Sequence, residues 1–250
     1  MIPKIIHYVW FGGKPYPAKI QKCIDSWKEH LPDYQFIRWD ESNFDVNSCE
    51  FTREAFSQKM WAFVSDYVRI AALARYGGWY FDTDVELFKS LDPFNDRRMV
   101  FGTDDLGNLT AVYGTEAQSE YWSKVKNLYD NLSFSPNETK VINAYLEDIL
   151  SAYGYEKENK YQNLGDGIEV FPDDYFHVAS IMTGKLHRTD NTVAIHWQTL
   201  SWCPPSTHFK RFIRTKIIGG IIGSDNSAKL AFYFSNLKKK LIRKSEAKRS

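Results

Sequence analysis

Two aspartates with one residue between them, Asp82 and Asp84, interrupt an otherwise apolar run, WYFDTDVELF at 79–88. In an extended strand, side chains two apart share a face, with Cα atoms about 7 Å apart. Carboxylates that close repel unless a cation lies between them. The preceding residues read as a strand, and open α/β sheets bind ligands beyond the C-terminal ends of their strands. A divalent ion with oxygen ligands and bound waters fits such a pair and leaves room for a diphosphate. An acidic turn in solvent would show the same triplet, so D-x-D alone does not decide. An EF-hand is excluded, because Leu87 stands where that loop needs glycine.

The segment upstream narrows the choice. MWAFVSDYVRIAALARY (60–76) is apolar nearly all round and reads as a buried helix. Ser65, Asp66 and Arg69 lie inside it, the last two at i,i+3 on one face. An isolated buried Asp–Arg pair is as readily structural as functional. Here the helix stops at Gly77-Gly78 and leads straight into the D-x-D strand. Charges that are costly to bury are being carried towards one edge of a sheet.

The elements that must position them follow from periodicity. KIIHYVWF (4–11) reads as a buried strand, 17–32 as an amphipathic helix and 34–40 as a second strand, a βαβ opening that implies a parallel sheet covered by helices. The pattern predicts one helical region over 52–76, strands at 78–84, 97–105 and 109–114, helices at 117–131 and 137–152, and an irregular, strand-rich stretch over 160–205. Trp10 ends a strand beside Gly12-Gly13, where a flat ligand could approach; an ordinary core tryptophan reads the same way. His196, between apolar 193–195 and Trp197, is either a ligand or a satisfied core histidine, and His7 is assigned to structure. Asp104 and Asp105 form a second acidic pair, a solvated turn or a contact for sugar or acceptor.

Composition sets the class. The 250 residues are 16 % aromatic, with 15 Tyr and 8 Trp, an excess suited to stacking on sugars. Three cysteines without a CxxC pair argue against a disulfide framework and a zinc knuckle. GxSxG, P-loop, GxGxxG and HExxH patterns are absent from the sequence. MIPKIIHYVW lacks the features of a signal peptide, and IIGGIIG falls far short of the about 20 residues of a membrane span, so the expected location is cytoplasmic. From His208 onwards twelve Lys and Arg face two acids, a net of +10, which leaves −9 on residues 1–207 of a chain whose total is +1. The expected domains are therefore 1–207 and a basic extension, 208–250. Residues 229–244 can form a helix with Leu230, Phe234, Leu237 and Leu241 along one face. That pattern suits an anionic membrane surface, at the inner face of the membrane, better than nucleic acid, for which no aromatic platform is evident. A solvated helix closing the domain remains the alternative.

SDYVRIAALARYGGWYFDTDV (65–85) resembles the signature of glycosyltransferase family 32, the D-x-D sugar transferases that include the yeast initiating α-1,6-mannosyltransferase and bacterial capsule transferases. More distantly it is similar to the catalytic domains of clostridial glucosylating toxins. IPKIIHYVWFGG (2–13) resembles the first strand of these families, and AIHWQTLSW (194–202) their closing motif. The resemblance implies a GT-A fold, an α/β Rossmann-like nucleotide-sugar domain with a mostly parallel central sheet. It also implies retaining hexose transfer from a nucleoside-diphosphate sugar, UDP-sugar favoured, with Mn²⁺ or Mg²⁺. The acceptor would be a glycan or lipid-linked oligosaccharide in surface polysaccharide synthesis; a toxin-like protein glycosyltransferase and a non-catalytic carbohydrate-binding protein are the alternatives. Position by position, Trp10 matches the aromatic that stacks on the donor base, with Val9 lining the same pocket. Asp66 and Arg69 match residues that hold sugar hydroxyls, with Ser65 and Tyr80 alongside. Asp82 matches the acid that reaches ribose or sugar and the ion's water, Asp84 the direct metal ligand, His196 a metal or phosphate ligand, and Ser201 and Trp202 groups on the diphosphate. No residue stands out as a covalent nucleophile.

Overall fold

A computed structural model describes residues 1–136, 139, 142–180, 183–199 and 223 of the chain. In chain order the elements are β1 (Ile5–Val9), α1 (Ala18–His30), β2 (Gln35–Trp39), α2 (Glu50–Ser57), α3 (Trp61–Tyr76), β3 (Gly78–Phe81), β4 (Val85–Leu87), β5 (Met99–Thr103), β6 (Leu109–Thr115), α4 (Glu120–Asp130), α5 (Ile142–Ser151), β7 (Gln162–Asn163), β8 (Ile168–Phe171), α6 (Asp173–Phe176) and β9 (Ala194–His196). Seven strands form one sheet in the order β2-β1-β3-β6-β5-β8-β7, and β4 pairs with β9 in a separate ribbon. The α/β class and the central sheet implied by the resemblance are present. β1 runs parallel to β2 and to β3, as the βαβ opening requires, with Ile6 opposite Phe36 on one side and Trp79 on the other. Beyond β3 the sheet is mixed: β6 runs antiparallel to β3 and β5, and β5 runs parallel to β8. The C-terminal ends of the three parallel strands open on one edge, where Trp10 follows β1 and Asp82 follows β3.

Alternation along β3 separates two cores. Trp79 and Phe81 join Ile20, Ile24 and Trp27 of α1 on one face of the sheet. Tyr80 joins Val64, Val68 and Leu73 of α3 on the other. Asp82, two residues beyond Tyr80, therefore falls on the α3 side. The junction between α3 and β3 needs glycine. Gly77 and Gly78 have φ of +64° and +89°, and a Cβ on Gly78 would lie 2.7 Å from the Ile5 carbonyl oxygen of β1.

Two expectations are corrected. The helical region over 52–76 is two helices, because Lys59 takes a left-handed φ of 56°. Its N–H donates to Phe56 O, and Met60 N–H donates to Ala55 O, both at 2.9 Å. That is a Schellman cap with lysine where glycine is usual, so the sequence carries no visible break. The break lets Phe56 meet Trp61 edge-on, with ring centroids 5.3 Å apart. The second correction concerns the D-x-D strand: β3 ends at Phe81, and Asp82–Asp84 form the turn into β4, closed by Val85 N–H to Asp82 O at 3.0 Å. The chain must leave the main sheet here to pair with β9, and the turn makes that change.

Residues 1–179 and 187–199 form one compact unit. In the described part of the second unit, Ser180 N–H donates to Lys185 O and Gly184 N–H to Ser180 O, a closed turn. The expected boundary at 207 and, Gly223 apart, the extension 208–250 lie outside the described residues.

His7 is structural, as expected. Its Nε2 donates to Gly77 O at 2.9 Å, and its Nδ1 accepts from Trp39 Nε1 at 3.2 Å, which fixes the neutral tautomer. Burial lowers its pKa to about 4, against a smaller opposing effect of the Gly77 carbonyl. Below pH 6.5 the unfolded chain takes up a proton here that the folded chain refuses until about pH 4. The stabilisation is full above pH 6.5 and is lost as pH falls, about 2–3 kcal/mol between pH 7 and 4.5 at about 1.4 kcal/mol per unit. His7→Gln should flatten that part of the pH dependence in urea titrations; identical slopes in the two proteins would contradict the assignment.

Candidate active site

The D-x-D turn is gripped from two sides. On the first, α3 presents Arg69, buried at 6 % exposure. Its Nη2 lies 3.2 Å from Asp66 Oδ1, one helical turn back, and 3.2 Å from Asp82 Oδ1. The guanidinium also covers the Tyr80 ring at 4.5 Å, and the Tyr80 hydroxyl donates to the same Asp82 oxygen at 3.1 Å. One cation thus serves two carboxylates and one aromatic face. Burial pushes the Asp66 carboxyl up to about 7; Arg69 opposes that shift and the Asp82 charge adds to it.

On the second side the closing segment returns. β9 pairs with β4 so that His196 stands opposite Val85, and Trp197 N–H donates to the Asp84 carbonyl at 3.0 Å. His196 Nε2 lies 3.2 Å from Asp84 Oδ1 and 3.9 Å from Asp82 Oδ2. The other Asp84 oxygen accepts from Thr199 twice, from N–H at 2.6 Å and from the hydroxyl at 2.9 Å. Burial alone would raise the Asp84 carboxyl; His196 and the Thr199 donors outweigh it and hold it well below the carboxylate range. Burial alone would likewise lower His196, but Asp84 and then Asp82 raise it.

One ligand atom each from Asp82, Asp84 and His196 falls within 4.8 Å of the others. Two carboxylates and an imidazole are a donor set that suits Mn²⁺ and, less selectively, Mg²⁺. Asp82 is the open member, its side chain 31 % exposed against 10 % for Asp84. These residues fit the expected ion.

Asp66, Arg69, Tyr80, Asp82, Asp84 and His196 are therefore one connected cluster. The remaining expected residues stand differently. Val9 is buried in the α3-side core. Trp10 is half-buried at the end of β1, its indole N–H donating to Lys14 O at 2.7 Å and its ring edge-on to Tyr16 at 5.0 Å. The Ser65 hydroxyl donates to Ala62 O at 2.7 Å, a bond within its own helix. Ser201 and Trp202 lie outside the described residues. Asp104 organises the β5–β6 turn: its carboxylate accepts Leu106 N–H, Asn108 N–H and the Asn108 side-chain amide. Thr199 was missed by the sequence reading, although it sits inside the closing motif. Glu86 was missed as well; it accepts from Trp197 Nε1 at 2.8 Å and pairs with Lys22 at 2.8 Å, fastening β4 to the segment after β9 and to α1.

Residues 17–101 match the family described as "Glycosyltransferase sugar-binding region containing DXD motif". That segment contains Asp66, Arg69, Tyr80, Asp82 and Asp84. An uncharacterized glycosyltransferase of Acanthamoeba polyphaga mimivirus is 25 % identical over 238 residues, 89 % of this chain and 92 % of the relative. Inositol phosphoceramide mannosyltransferase 3 of Schizosaccharomyces pombe is 31 % identical over 99 residues, 37 % of this chain and 27 % of the relative. Among solved structures, the PaToxG glycosyltransferase is similar at 18 % identity and a TM-score of 0.49, covering 60 % of this chain and 69 % of that one. The resemblance read from the motif is borne out, and with it the enzyme class, a glycosyltransferase.

Arg69 can be tested without chemistry. Arg69→Met leaves Asp66 buried beside Asp82 with no cation, and removing one partner of a buried pair costs about 3–5 kcal/mol. Denaturant unfolding at pH 9, where Asp66 is ionised in the wild-type fold, should show a loss of that order. A loss below about 1 kcal/mol would mean that the cluster is solvated and contributes little to stability.

Proposed function

We propose that this D-x-D glycosyltransferase transfers a hexose from a nucleoside-diphosphate sugar, UDP-sugar favoured, to a hydroxyl of a glycan or lipid-linked oligosaccharide, with retention at the anomeric carbon. The observation that supports this reading most is the convergence of Asp82, Asp84 and His196 within 4.8 Å, beside a buried arginine that Asp66 and Asp82 share. A divalent cation held by Asp82, Asp84 and His196, Mn²⁺ or Mg²⁺, would supply charge neutralisation for the departing diphosphate.

The chain's own residues take the other roles. Trp10, at the end of β1, stacks on the donor base, and Val9 backs that pocket from the core. Asp66 and Arg69 hold sugar hydroxyls, and Tyr80 and Ser65 keep them in register, Tyr80 through Asp82 and Ser65 through the turn of α3 that carries Asp66. Ser201 and Trp202 are assigned to the diphosphate through the closing motif they match. The acceptor oxygen attacks the anomeric carbon on the face that the diphosphate leaves, and its proton passes to a diphosphate oxygen. The C–O bond to the donor breaks as the new one forms, which balances the step without a covalent enzyme intermediate.

Nucleotide sugars offered with Mn²⁺, with and without an acceptor glycan, test the reading: transfer should require the acceptor, with only slow donor hydrolysis without it. Release of free sugar at one rate regardless of acceptor would make the protein a hydrolase, and binding without turnover a carbohydrate-binding protein. Asp84→Asn should keep the fold and lose more than nine-tenths of the rate at saturating Mn²⁺, a barrier increase above about 1.4 kcal/mol. Retention of more than a tenth would contradict the metal role of Asp84.

The location follows from charge. Among the described residues no helix is long and apolar enough to cross a membrane. Residues 208–250, with a net charge of +10, would attract anionic lipid at about 1 kcal/mol per basic residue near the surface. Peripheral association with the inner face of the membrane would bring the enzyme to lipid-linked acceptors. Co-sedimentation with anionic vesicles should fall steeply with salt and disappear on deletion of 229–250, while transfer to a soluble acceptor persists. A full-length protein that ignores anionic vesicles at low salt would leave the extension a structural cap.

A further inference from the structure

The second oxygen of Asp84 has two donors from one residue, and the segment that delivers them is itself anchored. Gln198 has a left-handed φ of 50°, uncommon for a residue with a side chain. Its amide nitrogen lies 2.6 Å from the Ala179 carbonyl and 2.6 Å from His177 Nε2. Both amide hydrogens are therefore donated, which places the His177 proton on Nδ1. His177 is buried at 1 % exposure, its carbonyl accepts from His196 N–H at 3.2 Å, and its ring stands edge-on to His196 at 5.3 Å. Val178, between His177 and Ala179, also has a left-handed φ, 55°. Two such residues facing one another across a pair of amide bonds hold a backbone shape that neither segment favours alone. Its result is that Thr199 arrives with N–H and hydroxyl on the same Asp84 oxygen.

Resting on the metal-dependent reading above, we infer that Thr199 is a positioning residue that keeps Asp84 a one-oxygen ligand and so sets which cation the site accepts. With Oδ2 occupied by two donors, Asp84 has only Oδ1 to offer, on the side of His196 and Asp82. Ca²⁺ favours six to eight oxygens and readily takes both oxygens of a carboxylate, whereas Mg²⁺ and Mn²⁺ are served by single oxygens with water and phosphate. The Thr199 hydroxyl thus discriminates against Ca²⁺ by withholding an oxygen. His177 and Gln198 act one step further out, by fixing where Thr199 stands.

The test is cation binding by the full chain with nucleoside diphosphate present, Mn²⁺ followed by electron paramagnetic resonance of the free ion and Ca²⁺ by competition. Thr199→Val, which removes one donor and keeps the side-chain shape, should weaken Mn²⁺ binding about tenfold, the lower end of the range for residues that hold a metal ligand. Ca²⁺ binding should stay equal or tighten, so the Mn²⁺/Ca²⁺ preference falls by about the same factor. Thr199→Ser should restore the preference, and Gln198→Ala, which frees the segment, should reproduce the Val result with the melting temperature checked alongside. Equal loss for both ions, or none, overturns the inference and leaves the metal reading standing. A wild-type chain that binds no Mn²⁺ overturns both.

Discussion

A guanidinium removed from water is the constraint around which the site is arranged. Taking such an ion out of water costs several kcal/mol, and only close partners offset it. Arg69 finds them in Asp66 on its own helix, in Asp82 beyond β3 and in the face of Tyr80. Because these partners sit on two elements, the arginine fixes the register of α3 against β3. That register explains the Gly77-Gly78 junction, where the chain reverses within one backbone's width of β1. It also explains why Tyr80, rather than Trp79 or Phe81, carries the hydroxyl: only the even positions of β3 face α3.

Asp82 is thus tied to the helix, and Asp84 to the segment that follows β9. Two carboxylates in one turn repel each other, and the fold answers by giving each a different set of partners. Asp82 leans on Arg69, whereas Asp84 leans on His196 and Thr199. The β4–β9 ribbon is what brings residues 84 and 196 together across more than a hundred positions of sequence. The cluster is therefore complete only when the first and last parts of the unit have both folded, and its open side is that of Asp82.

Much of this was legible in the sequence because it is local. The βαβ opening showed in the apolar runs 4–11 and 34–40, and Asp66, Arg69 and the D-x-D pair lay within twenty residues of one another. The break at Lys59 was hidden because a lysine took the left-handed position that glycine normally signals. The aspartates were read as strand residues because the apolar residues on both sides are strand-like; what ends the strand is the need to reach β9, a partner more than a hundred residues away. Thr199 and His177 left no trace for the same reason. A threonine three residues after a histidine is ordinary, and only the left-handed turn at Gln198 aims it at Asp84. Local charge pairs can be read from spacing, and contacts made by a returning strand cannot.

Asp82, Asp84 and His196 are proposed to make a divalent-cation site together. Crystals grown with Mn²⁺ and a nucleoside diphosphate, measured at the manganese absorption edge, test it most directly. One strong anomalous peak is expected in contact with Asp84 and within reach of Asp82 and His196. A peak elsewhere on the protein, or nucleoside diphosphate bound with no manganese beside these three residues, would contradict it.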